Sequence, residues 1–347
     1  MADIELFFFT NRNLLARKRP SFGNSFNPDA SAGLRYGRAT LSNSGADPRV
    51  KEVVVYEEQK DPETGLFKIK GSTPFLTNLY RLMWDGEKDT VLYVHGFNVS
   101  FEGALEGGAR LKRGLALRGR DVNVVVFTWP SDGEAKPFVS YFRDREDAKA
   151  SGPALGRAFV RVKEYIDAIP PAELCRRRIH IVAHSMGNYL LRHALQYVIG
   201  RGTNYLARLC EQVILAAPDE DEDAFEHDHK LALLPRIARQ VTVYFSRHDR
   251  ALTISDLSKS NPDRLGSDGP RLIDLIPKRI NLVDAGAFSG MGDGDWPGDS
   301  NHHGYYSRSG KVLDDITSVL TDILPDQIPG RTYVPEKRIY RLVAPLT

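Results

Sequence analysis

Cysteine is scarce: Cys175 and Cys210 are the only two in 347 residues. Two thiols make no disulfide framework, and no CxxC or Cys/His spacing suits zinc, so a reducing compartment is the expected setting. Long apolar runs are lacking too, and none approaches the roughly 18 residues that a membrane span requires. The opening Met-Ala-Asp-Ile-Glu is acidic where a secretory leader is basic. The apolar run from Leu6 to Phe9 is too short for the core of such a leader. A cytoplasmic protein with no membrane partner is the expectation. Excess charge of one sign is also missing, with 47 Lys and Arg against 45 Asp and Glu and a net +2. That balance gives no electrostatic case for nucleic acid. The basic clusters Arg17-Lys18-Arg19 and Arg176-Arg177-Arg178 read as solvated faces. Repeats and low-complexity segments are absent.

What is present suits one large α/β domain spanning residues 1–347, because 41% of the chain is apolar, enough for a substantial core. Within residues 1–60, Ile4 to Thr10, Arg35 to Leu41 and Val50 to Tyr56 read as antiparallel edge strands of the same sheet. A loop from Pro20 to Gly33 lies between the first two. From residue 90 onward, short buried-type strands alternate with helical patterns, the mark of a mostly parallel twisted sheet with helices on both faces. The strands are expected at Thr90–Val94, Asn123–Phe127, Ile179–Ala183, Gln212–Leu215, Val241–Phe245 and Asn281–Val283. Helical stripes run through Ala104, Leu105, Ala109, Leu111 and Leu115, and through Leu155, Phe159, Val162 and Ile166. A third follows Ser185 through Leu190, Leu191, Ala194, Leu195 and Val198. A last helix is expected from Val312 to Leu324, before a tail at 325–347.

The chemistry starts at Ile179-His180-Ile181-Val182-Ala183, which runs into His184-Ser185-Met186-Gly187 and then a helical stripe. Strand, sharp turn, helix is the setting in which a serine hydroxyl is lifted above a sheet edge. Such a turn needs small residues two places either side of the serine, and Ala183 and Gly187 supply them. Ser185 is therefore the expected nucleophile, with the Met186 amide as one oxyanion donor at a helix N-terminus. His184 reads as a packing residue. A second oxyanion donor is expected at the Phe97 amide, in the His95-Gly96-Phe97-Asn98 loop that leaves Thr90–Val94. His95 reads as a residue that orients that loop.

The fold places the acid and then the base after the nucleophile in chain order. Asp249 follows the strand Val241–Phe245 and is the preferred acid. Asp219, after Gln212–Leu215, is the alternative acid. Only His302 and His303 lie beyond Asn281–Val283, and His303 is the preferred base. Asp293, Asp295 and Asp299 in the same loop bring calcium to mind, but the EF-hand spacing and terminal glutamate are missing, so a solvated loop is expected. No metal or organic cofactor is required.

With these residues in place, the chain resembles the α/β-hydrolases. More narrowly, it is similar to a bacterial family known only as a domain of unknown function. The likeness rests on Phe9-Thr10-Asn11-Arg12, Tyr36-Gly37, Val94-His95-Gly96-Phe97-Asn98 and Phe127-Thr128-Trp129-Pro130-Ser131. It continues through Ala183-His184-Ser185-Met186-Gly187-Asn188, Ala216-Ala217-Pro218-Asp219 and His303-Gly304-Tyr305-Tyr306. The last motif decides between the paired histidines in favour of His303. The resemblance implies an α/β-hydrolase fold and, most often, carboxylic-ester hydrolysis. The expectation is a serine esterase acting on small or medium acyl esters through an acyl-enzyme. An amidase, lactonase or acyltransferase on the same triad, or a binding scaffold without turnover, are the alternatives. Residues 219–240 are too few for a large lid, so a small cap is expected. Trp129, Tyr305 and Tyr306, together with Phe97, are the expected apolar walls of the substrate pocket. The sequence gives no reading of oligomeric state.

Overall fold

The computed structural model describes residues 2–28, 33–131, 137–202, 205, 209–252, 264–292 and 298–343. The first strands are β1 (Ile4–Thr10), β2 (Arg12–Ala16), β3 (Ser21–Phe26), β4 (Arg35–Leu41) and β5 (Val50–Val55), followed by a small hairpin of β6 (Gln59–Lys60) and β7 (Phe67–Ile69). Then come α1 (Ser72–Asp85), β8 (Thr90–Val94), α2 (Phe101–Ala116), β9 (Asn123–Thr128), α3 (Pro137–Asp167), β10 (Ile179–His184), α4 (Met186–Arg201) and β11 (Cys210–Ala216). The chain closes with β12 (Ala238–Phe245), β13 (Ile280–Asp284), a helix at Gly310–Leu320, β14 (Arg331–Val334) and β15 (Ile339–Leu342).

Among the described residues, eleven strands form one sheet in the order β14-β15-β13-β12-β11-β10-β8-β9-β1-β4-β5. From β13 to β1 every neighbouring pair runs parallel. Strands in such a sheet are covered on both sides, which is why they read as unbroken apolar runs. Alternate residues serve opposite faces. In β10, Ile181 and Ala183 join the core shared with α3 and α4, whereas Val182 joins the core beneath α2 and Gly310–Leu320.

Three regions depart from the sequence reading. β1 runs antiparallel to β4 but parallel to β9, so it is the last strand of the parallel run rather than a separate antiparallel edge. The expected loop from Pro20 contains β3, which pairs antiparallel with β2 as a separate two-stranded sheet. Much of the tail is structured: β15 lies parallel to β13 and β14 folds back on it, so β13 is not the end of the sheet. Both tail strands are four residues long and show no regular alternation, so only a neighbouring strand makes them decisive. The final helix spans Gly310–Leu320, starting earlier and ending earlier than expected.

Candidate active site

The parallel strands β8, β10, β11 and β12 all end on one side of the sheet, and the chemically equipped loops collect there. Ser185 caps α4 with φ 54° and ψ −125°, outside the region a β-substituted residue prefers. A serine at this position ordinarily turns its hydroxyl onto the first helical amides. Here it makes no such side-chain cap bond, because the positive φ swings the side chain away from the helix. Surrounding bonds hold the strained turn. The Ser185 amide donates to Ala216 O at 3.0 Å, and the Asp219 and Asn188 amides donate to Ser185 O at 3.2 and 3.0 Å. Asn188 Nδ2 adds bonds to Ala183 O and Ser185 O, at 3.1 and 3.0 Å. A Cβ at Gly187 would sit 2.6 Å from His95 O and 2.7 Å from Val94 O. Any larger residue there would force β8 and α4 apart.

The His95-Gly96-Phe97-Asn98 loop lies directly against this turn, and a Cβ at Gly96 would meet Ser185 Cβ at 2.8 Å. His95 is buried, and its ring stacks on Trp129 at 5.0 Å with 3° between planes. Since the Trp129 amide donates to His95 Nε2, the proton sits on Nδ1 and is donated to Gly96 O. Burial, with the positive Arg12 nearby, lowers the His95 pKa to about 3, so the ring stays neutral. The amides that follow are held from outside. Asn98 N donates to Asp144 Oδ2 at 3.0 Å and Val99 N to Ser131 Oγ at 3.1 Å. Ser131 Oγ donates in turn to Asp144.

Arg12 locks the same loop. It is 1% exposed, and its Nη2 donates to Val99 O at 2.6 Å. Its Nε donates to Thr128 Oγ1, and its Nη1 to Gly23 O and Ser131 O. Burial lowers its pKa to about 10, against the opposing pull of Asp144 and Glu102. The N-terminal Thr10-Asn11-Arg12 segment is thereby joined to the loop, a role that its sequence did not reveal. Phe97 N and Met186 N donate to no protein acceptor among the described residues.

On the other side, His303 Nδ1 and Asp249 Oδ2 are 2.7 Å apart. Asp249 is 5% exposed, and its Oδ1 accepts from the amides of Ala251 and Leu252. Burial opposes a charged His303 ring, but the Asp249 carboxylate outweighs it, and the net pKa is raised. Asp299 secures the backbone of this loop by accepting from the amides of Asn301, His303 and Gly304. Its own pKa is lowered: burial works against the carboxylate, and the backbone amides together with His303 more than compensate. The remaining calcium candidates, Asp293 and Asp295, lie outside the described residues. No cluster of metal-ligating side chains occurs among the described residues.

Two further links join the halves. Arg250 N donates to Asn301 O at 2.9 Å. His184 Nε2 donates to His303 O at 3.2 Å, and the two rings lie 4.6 Å apart. His184 thus does more than pack, for it anchors the His303 backbone to the strand that ends at Ser185. His302 turns elsewhere, with Nδ1 3.0 Å from Ser289 Oγ.

Asp219 is buried beside Ser185, and its carboxylate accepts from Tyr141 at 2.9 Å with Arg264 at 3.7 Å. The expected apolar walls are placed differently. Trp129 is fully buried beneath the His95 loop, and its Nε1 donates to His95 O. Tyr305 is fully buried and donates to Tyr244 O, while the Tyr306 hydroxyl meets that of Tyr93 at 2.6 Å. These three rings support the site from inside the core and leave no face for a substrate. Apolar surface at the loop comes instead from half-buried Phe97, edge-on to Tyr141, which is in turn edge-on to the exposed Phe142. Within residues 219–240, Ala224, Phe225, Leu231 and Leu234 face into the core.

Residues 75–320 match the model of a family described as alpha/beta hydrolase of unknown function (DUF900). The chain belongs to this family. The α/β-hydrolase fold follows from that membership and from the sheet described above. An uncharacterized protein of Nostoc sp. (alr1448) is 26% identical over 225 residues, covering 50% of this chain and 55% of that relative. The chain therefore spans about half the length of the curated relative it matches. Among solved structures, a hyperthermophilic esterase from Pyrobaculum calidifontis aligns over 85% of this chain and 83% of its own, at 13% identity and a TM-score of 0.33. A lipase-esterase related protein from Clostridium acetobutylicum aligns over 68% of this chain and 94% of its own, at 10% identity and a TM-score of 0.30. At such scores these two likenesses carry no argument about chemistry. Among the described residues of this hydrolase-family protein, no helix is long and apolar enough to cross a membrane.

Proposed function

We propose that the protein is a serine carboxylesterase in which Ser185 is the nucleophile, His303 the base and Asp249 the acid. The observation that carries this reading is the 2.7 Å contact between His303 Nδ1 and Asp249. That contact fixes the tautomer with the proton on Nδ1, which leaves Nε2 free to take the Ser185 proton. Ser185 Oγ attacks the ester carbonyl, and its proton passes to His303. The resulting oxyanion meets the amides of Phe97 and Met186, which donate to no backbone acceptor among the described residues. His303 then protonates the departing alkoxide, leaving an acyl-enzyme. Water attacks the acyl carbon and gives its proton to His303, which returns it to Ser185 Oγ as the acyl–oxygen bond breaks and the acid leaves. No step calls on a metal or organic cofactor.

The acyl group rests on the apolar surface of Phe97 and Phe142, with buried Tyr141 behind them, which suits small and medium acyl esters as substrates. In this reading Asp219 shapes the site through Tyr141 and Arg264 and takes no proton. Hydrolysis of p-nitrophenyl acetate, butyrate and octanoate tests the proposal. Wild type turns over the shorter esters, and Ser185→Ala loses at least about a thousandfold in kcat. Wild-type inactivity on all three, or undiminished activity in Ser185→Ala, contradicts it.

A further inference from the structure

At the other end of the same strands, one face of the sheet holds a half-open cavity of about 140 Å³. It lies between the sheet and helices α1 and α3, beneath the early residues of the strands rather than their ends. Met83 of α1, Ala158 and Val162 of α3, and Leu92 and Ile181 of the sheet contribute apolar walls, and both cysteines reach it. The interior is almost wholly hydrocarbon. Native cores leave few voids larger than a water molecule, and an apolar void stays dry.

One polar group in this lining is unanswered. Thr90 is 3% exposed, and its hydroxyl has no hydrogen-bond partner among the described residues. A buried polar group of this kind is costly unless something bonds to it. Two cations also belong to the lining, Arg161 and Arg177. They pair with Glu164 at 3.8 Å and Glu87 at 3.3 Å, and those carboxylates are 53% and 77% exposed. Such surface pairs are worth little and are readily exchanged for another anion.

We propose that this cavity is a second ligand site, remote from Ser185, for a short monocarboxylic acid with a chain of about six carbons. The size follows from the volume, since an apolar cavity of about 150 Å³ admits a guest as large as benzene. The chain fills the space between Met83, Ala158 and Ile181. The carboxylate accepts from Thr90 Oγ1 and faces Arg161 and Arg177. This site does not depend on the esterase reading.

Cys210 reports its occupancy. The thiol is buried in the lining, and burial pushes its pKa up to about 12, so its modification is slow and a guest in the pocket slows it further. In a Cys175→Ser background, the rate of Cys210 modification by 4,4′-dithiodipyridine is measured with and without hexanoate. A bound guest slows modification about tenfold when its concentration is about ten times Kd. Ala158→Trp fills the cavity and abolishes the protection, with Ala158→Leu as the second variant should the indole prevent folding. Thr90→Val weakens hexanoate protection several-fold. No protection by hexanoate, or undiminished protection in the filled variants, overturns the site. Equal protection by 1-hexanol overturns the assignment of the carboxylate.

Discussion

The two sides of the candidate site are built by different means. On the serine side, backbone geometry sets the turn, and side chains such as Arg12 and Asn188 support it from around. Ser185 is kept at φ 54°, and Gly96 and Gly187 lie where a Cβ would come within 2.8 Å of a neighbour. On the histidine side, side chains hold loops that are distant in sequence. Asp249 grips His303, Asp299 gathers three amides, and His184 reaches across to His303 O. A backbone device fails when space is taken away. A side-chain device fails when charge or a single acceptor is taken away, and so it answers to pH.

Asp249→Asn strikes the side-chain device hardest. The expected loss in kcat is about a thousandfold to ten-thousandfold, because the asparagine no longer secures the tautomer. The pH profile also changes in sign-determined fashion. In wild type the carboxylate raises the His303 pKa, so the acid limb of kcat/KM lies above the ordinary histidine value of about 6.5. Without that charge, burial is opposed only by the smaller pull of Asp299 and Asp219, and the limb moves to lower pH. The same pair stabilises the fold below the unfolded histidine pKa, a contribution lost as pH rises through the raised folded value. A limb that stays in place in Asp249→Asn would mean that another group sets the protonation of His303.

Arg12→Leu tests whether the serine side depends on its outer support. The loop carrying Phe97 N loses its bonds to Val99 O and Ser131 O, and kcat falls about a hundredfold with KM changed less. Arg12→Lys does not restore it, since a single ammonium cannot reach acceptors spread over Thr128, Gly23, Ser131 and Val99. A parallel change in KM and kcat, or rescue by lysine, would reduce Arg12 to a general stabilising charge.

Asp219→Asn carries the smallest effect, a change in kcat below about threefold, because the amide oxygen can still accept from Tyr141. A loss as large as that of Asp249→Asn would move the acid to the β11 loop.

How much was legible follows the same division. The serine turn and the His95 loop are short-range devices, so their small residues and flanking strands appear in consecutive sequence. The pairing of Asp249 with His303 joins residues 54 apart, and it was the expected order of the fold together with the His303-Gly304-Tyr305-Tyr306 motif that pointed to it. Arg12, Asp144, Asp299 and His184 were not assigned to the site, because each acts on a backbone that folding alone brings near. Trp129, Tyr305 and Tyr306 illustrate the reverse error. Aromatics beside reactive loops suggested walls, yet their polar atoms find partners inside the core. The C-terminal strands escaped for a simpler reason, being four residues each and decided by pairing with β13.

Covalent labelling by a fluorophosphonate, located by peptide mass spectrometry, tests the central claim most directly. The account predicts a single adduct on Ser185, formed faster as pH rises through the His303 limb and nearly absent in His303→Ala. Labelling of another residue with Ser185 untouched, or no labelling of the folded protein, would contradict it.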